Sequence, residues 1–151
     1  MLMIRPMSTD TNNNINSKEN SGNSSKPFSF KYVESGGLAN DYLVISFDSE
    51  TNNLKVSTDI SSTNISQKPI ENSEENSLKN TIRKNNFFNS QSSYVTEHED
   101  EDNTALSSSL TVTLANDIHT SVWTSKSKDV PQALIEITTE IKNIAHGKKM
   151  I

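Results

Sequence analysis

The chain has 151 residues, enough for one domain, yet only 31% of them are apolar, against roughly 45–50% in ordinary globular domains. A formal charge of −5 and the lack of any clustered Lys/Arg run exclude nucleic acid as the main partner, because neutralising phosphates needs a basic face. With no cysteine in the chain, disulfides, thiolate metal sites and cysteine nucleophiles are excluded together.

The apolar deficit is uneven along the chain. Residues 1–26 are a low-complexity Ser/Asn-rich tail, which cannot bury enough surface to offset its ordering entropy and is expected to be disordered. Its opening, MLMIRPM, is interrupted by Arg5 and Pro6 and falls short of a secretory signal. No run approaches the ~20 apolar residues of a membrane span, so a cytoplasmic protein without membrane contact is the expectation. One α+β domain is predicted over residues 27–147, with disordered inserts at about 61–73 and 90–106.

Order is expected from Pro27. Phe28, Phe30 and Tyr32 share one face of a strand, with Ser29 and Lys31 on the other. After ESGGLAND, the set Leu43, Ile45 and Phe47 is more apolar than Tyr42, Val44 and Ser46 and should face inward. The turn residues DSETNN lead to a third strand through Leu54 and Val56. These three strands read as an antiparallel meander. SSTNISQKPIENSEEN reads as a linker punctuated by Pro69.

A short helix is predicted around Leu78 and Ile82, with Glu74 and Glu75 near its start, Arg83 and Lys84 near its end, and Phe87 and Phe88 anchoring its exit. The acidic loop Glu97 to Asp102 is expected to be solvated. A second hairpin follows: Leu110, Val112 and Leu114 alternate with threonines, Asn116 suits a positive φ in the turn, and Ile118, Thr120 and Val122 alternate with His119, Ser121 and Trp123. The last element is a helix bearing Leu134, Ile137, Ile141, Ile144 and Ala145 on one stripe, with Glu136, Glu140 and Lys142 on the wet side. Asp129 and Gln132 have capping-box spacing, Pro131 falls in the first turn, and Gly147 suits a C-terminal cap. This helix must lie on the sheet, since nothing else in the chain could cover it. The fold class is therefore α+β: an antiparallel sheet of four to five strands with two helices on one face, flanked by polar disordered segments.

Chemistry is sparse. His98, His119 and His146 match no zinc-ligand spacing. EHEDED lacks the EF-hand positions and its turning glycine. Gly36-Gly37 has neither the P-loop lysine nor a third glycine. No constellation of nucleophile, base and orienting group is visible, so the chain is read as a non-enzyme with no metal and no cofactor, and a protein partner is expected.

The order of elements adds one signal. A strand running into Ser35, Gly36, Gly37, Leu38 and Ala39, a helix with Leu78 and Ile82 followed by the pair Phe87-Phe88, and a closing strand with Val122 before Pro131, Leu134 and Ile141 together resemble the emfourin family of small protealysin inhibitors. The resemblance spans about Phe28 to Ala145. The chain departs from the family in carrying Leu38 where Phe is general and Asn40 where glycine is common, and in its polar insert between Ile60 and Asn76. The resemblance implies a four-stranded sheet with two helices on one face and binding to a thermolysin-like zinc metallopeptidase. The partner-binding candidates are Ser35, Gly36, Gly37, Leu38, Ala39 and Asn40 of the glycine corner, with Leu38 as apolar anchor. Trp123 is a second candidate, because tryptophan is enriched at interfaces, set against a core role. The competing expectation is a non-enzymatic adaptor whose disordered, phosphorylatable arms carry recognition segments. A monomer is expected in either case.

Overall fold

A computed structural model describes residues 26–61, 63–95 and 104–151. The tail through residue 25 and the acidic loop at 96–103, with His98, lie outside the described residues, as do the N-terminal arm sites of the adaptor reading. In chain order the elements are β1 (Phe28–Gly36), β2 (Asp41–Asp48), β3 (Asn53–Ser57), β4 (Ile65–Lys68), α1 (Asn72–Lys84), a 3₁₀ turn (Phe87–Asn89), β5 (Leu106–Leu114), β6 (Asp117–Thr124) and α2 (Gln132–Gly147). The six strands form one antiparallel sheet in the order β4-β3-β2-β1-β5-β6.

β1 is central because both its neighbours find a matching inner face on it. Its partners run Phe30↔Phe47 and Tyr32↔Ile45 on one side and Phe30↔Val112 and Tyr32↔Leu110 on the other. A one-residue slip would turn every one of these side chains to water. Phe28, Phe30 and Phe47 pack as a cluster with ring centroids 5.8–6.0 Å apart, a separation at which tilted rings attract.

Both helices complete the core. Leu78 and Ile82 of α1 and Leu134, Ile137, Ile141 and Ala145 of α2 are buried with the strand residues, and Phe87 follows α1 into the same core. The chain enters α1 through a reciprocal cap in which the Glu71 N–H donates to Glu74 Oε1 at 2.8 Å. The side chains assigned to the wet side of α2 are used between elements instead. Glu140 accepts from the Ser77 hydroxyl at 2.9 Å and from the Thr81 hydroxyl at 2.6 Å, and Glu136 accepts from Asn85 Nδ2 at 2.7 Å. Lys142 pairs with Glu34 on the last inward position of β1 and lies over the Tyr32 ring.

Five expectations are corrected. The sheet has six strands rather than four or five, because β4 forms inside the expected disordered insert at 61–73. The second insert is partly structured: in residues 92–94 the Val122 N–H donates to the Ser92 carbonyl and the Tyr94 N–H to the Val122 carbonyl, both at 2.9 Å. This stretch runs along the outer edge of β6. Asp129 does not cap α2. Pro131, extended at φ −64° and ψ 147°, is the N-cap residue, its ring presetting φ where no N–H is needed. Gly147 lies inside the helix, and the left-handed residue is Lys149, which turns the chain so that Met150 is buried and its N–H reaches the Ala145 carbonyl at 3.0 Å. In the β5–β6 turn the positive φ falls on Ala115 and not on Asn116.

Candidate functional site

The glycine corner carries the most exposed large apolar side chain among the described residues, Leu38. Gly36 ends β1 at φ +96° and Gly37 follows at φ +77°, backbone states in which a side chain is strained. A Cβ on Gly36 would also come within 3.2 Å of the Ala105 carbonyl oxygen. Gly37 then donates its N–H to that same oxygen at 3.1 Å, and the Asn40 N–H closes a four-residue turn onto the Gly37 carbonyl at 3.1 Å. Asn40 takes φ +53°, a state asparagine tolerates better than other side chains. Leu38 and Ala39 stand at the tip, and Leu38 is 88% exposed.

Beside the corner lies a cleft of about 580 Å³ whose far wall is the loop that follows β3. That loop is stapled by one aspartate. Asp59 Oδ1 accepts the Ser61 N–H at 3.0 Å, Oδ2 accepts the Thr63 hydroxyl at 2.9 Å, and the Ser57 hydroxyl donates to the Asp59 carbonyl at 3.1 Å. The donors on Ser61, and then Thr63, hold the Asp59 carboxyl below the usual carboxylate range. Ile60 rides on this loop, 79% exposed. Asp41, Tyr42 and Thr58 complete the lining.

Of the sequence-predicted residues, the structure brings Ser35, Gly36 and Asn40 to the cleft wall and sets Gly37, Leu38 and Ala39 in the turn above it. Trp123 is separate. It borders a smaller cleft of about 190 Å³ with Ser35, but it is only 6% exposed and its ring stacks on Tyr32 at 6.4 Å. That is the core role, and Trp123 offers no anchor to a partner. Asp41, Tyr42, Asp59 and Ile60 were not singled out from the sequence. The Asp-x-Ser-x-Thr spacing of Asp59, Ser61 and Thr63 is the signal that could have found the loop, since an aspartate that accepts from its second neighbour makes a rigid turn.

Among the described residues, neither His119 nor His146 stands in a catalytic arrangement. His119 Nε2 lies 3.2 Å from Ser121 Oγ, but Ser121 is fully buried and its hydroxyl donates to the Gln91 carbonyl at 2.6 Å. Its proton is committed to holding the 90–91 segment on β6, and the His119 ring packs edge-on against Phe87 at 5.1 Å. His146 is exposed near the α2 C-terminus, where a cation complements the helix dipole. Among the described residues no group of three or more His, Asp or Glu side chains could hold a metal ion, and no helix is long and apolar enough to cross a membrane. Comparison with protein-family models and with curated proteins returned no match.

Proposed function

We propose that this chain is a non-enzymatic binding protein that blocks a thermolysin-like zinc metallopeptidase, with the Gly36–Asn40 corner as the element that enters the cleft. The observation that carries the proposal is the corner's combination of rigidity and exposure: two backbone hydrogen bonds of 3.1 Å hold a turn whose apolar tip, Leu38, is 88% exposed. A loop already in its bound shape loses little entropy on docking, and an aliphatic tip finds its stabilisation only when a partner's subsite removes it from water. The order of motifs from Phe28 to Ala145 directs the choice of partner class.

The test is inhibition of a thermolysin-like peptidase by the full chain and by Leu38→Asp, with thermal unfolding measured on both. The expected result is inhibition by the wild type and a loss of about 30-fold or more in the variant at an unchanged melting temperature, the scale of an interface anchor. Equal inhibition by a normally folded Leu38→Asp removes the corner as the contact. No inhibition by the wild type removes the peptidase.

A further inference from the structure

The cleft beside the corner has a chemistry of its own. One exposed aliphatic side chain, Ile60, lines it at 79% exposure, and a second, Leu38, stands in the turn above it at 88%. Among the described residues, Asp41 and Asp59 are the carboxylates in its lining, and no Lys or Arg lines it. The lysines Lys31 and Lys55 line the adjoining cleft of the open sheet face, on the far side of Tyr42. Both Asp59 oxygens already accept hydrogen bonds from Ser61 and Thr63, which fixes the carboxylate in place while each oxygen keeps a second acceptor site.

We propose that this notch receives a lysine or arginine side chain of the partner protein, with Ile60 seating on apolar surface beside that cation and Leu38 on apolar surface from the turn above. The inference rests on reading this end of the sheet as a protein-binding surface, and it names what the partner must present. A long basic side chain suits the notch in each of its parts. Its methylene stem can lie along aliphatic walls while its head meets the carboxylates, and a guanidinium can lie over the Tyr42 ring. A free metal ion is a poorer fit, because the described residues gather no set of three carboxylate or imidazole donors where a hard cation takes six or more oxygens.

The probes are two blocked tripeptides, acetyl-Val-Arg-Val-amide and its citrulline counterpart, which has nearly the same shape and no charge. Each is titrated into the isotope-labelled full chain and followed by amide chemical shifts. Saturable shifts at Asp41, Tyr42, Asp59 and Ile60 are expected, with the citrulline peptide about fivefold weaker, the upper range for a solvent-exposed ion pair. Asp41→Asn should reduce that preference, and added salt should narrow it. Equal binding of the two peptides, shifts confined to other residues, or no shifts at all would overturn the notch. Should Asp41→Asn fail to fold, the citrulline comparison on the wild type still decides. Arginine-selective binding without peptidase inhibition keeps the notch and removes the peptidase. Inhibition lost in Leu38→Asp, with no preference for arginine, does the reverse.

Discussion

Two turns project from this sheet at opposite ends, and they differ in what stands beside them. The Ala115–Asn116 turn joins β5 to β6, is tied by the Ala115 N–H to the Pro27 carbonyl at 2.9 Å, and places Ile118 just inside β6 at 71% exposure. The Gly36–Asn40 corner is also tied and also offers an exposed aliphatic residue, but it faces a second stapled loop across a cleft of about 580 Å³. Single exposed apolar residues are ordinary on protein surfaces. The corner has concavity beside it: Gly36 and Asn40 share a cleft lining with Asp59 and Ile60, so a partner group can be enclosed there on more than one side.

The largest expected effect removes the platform under both turns. Ile141→Ala deletes a fully buried side chain of α2 and should cost about 2–5 kcal/mol, read as a lower midpoint in urea unfolding. Next, Gly36→Ala should cost about 1–3 kcal/mol, because it puts a side chain at positive φ with its Cβ 3.2 Å from the Ala105 oxygen. Asn116→Ala, at a position without a positive φ, should stay within about 0.5 kcal/mol. Equal losses in the two variants would mean that the corner is no more constrained than an ordinary hairpin turn. Leu38→Asp and Ile118→Asp sharpen the contrast further. Both should leave stability within about 0.5 kcal/mol, and only the first should weaken inhibition.

The pH responses are smaller and opposite in direction. Burial, reinforced by Glu34, pushes the Tyr32 phenol well above its ordinary value. A folded-state pKa above the unfolded one contributes stability that is full below the unfolded value of about 10 and declines as pH rises past it. Unfolding midpoints should therefore fall on the alkaline side, and Tyr32→Phe should flatten that decline. Asp59, by contrast, has its pKa lowered by its Ser61 and Thr63 donors. Its contribution is present above the unfolded value of about 4 and fades as pH falls through the folded one. Acidification should loosen the 58–63 staple before the rest of the sheet opens, seen as faster amide exchange at Ser61.

Much of the platform is legible in the sequence alone. The alternation of Phe28, Phe30 and Tyr32 and of Leu43, Ile45 and Phe47 marks inner faces directly, and the Leu134-to-Ala145 stripe marks a helix that must cover them. β4 was not legible, because all four of its residues are exposed and a polar edge strand has no apolar period to read. Its place is decided by backbone pairing to β3, with Lys68 Nζ donating to the Lys148 carbonyl at 2.6 Å. The same limit hid half of the candidate site. Leu38 could be picked out beside two glycines, but Ile60 sits between Asp59 and Ser61 with no such signal beside it. Only the staple at Asp59 turns it toward the cleft.

By itself, then, the sequence determined most of the residues that avoid water, and so five of the six strands, the covering helices and the existence of a glycine corner, since burial acts on side chains wherever they meet. Only the tertiary structure decided that Trp123 belongs to the core, that Glu34, Glu136, Glu140 and Lys142 join elements, and that the corner shares a cleft with Ile60. Those outcomes depend on which segments distant in the chain become neighbours, and that choice belongs to strand order and register rather than to any local run of residues.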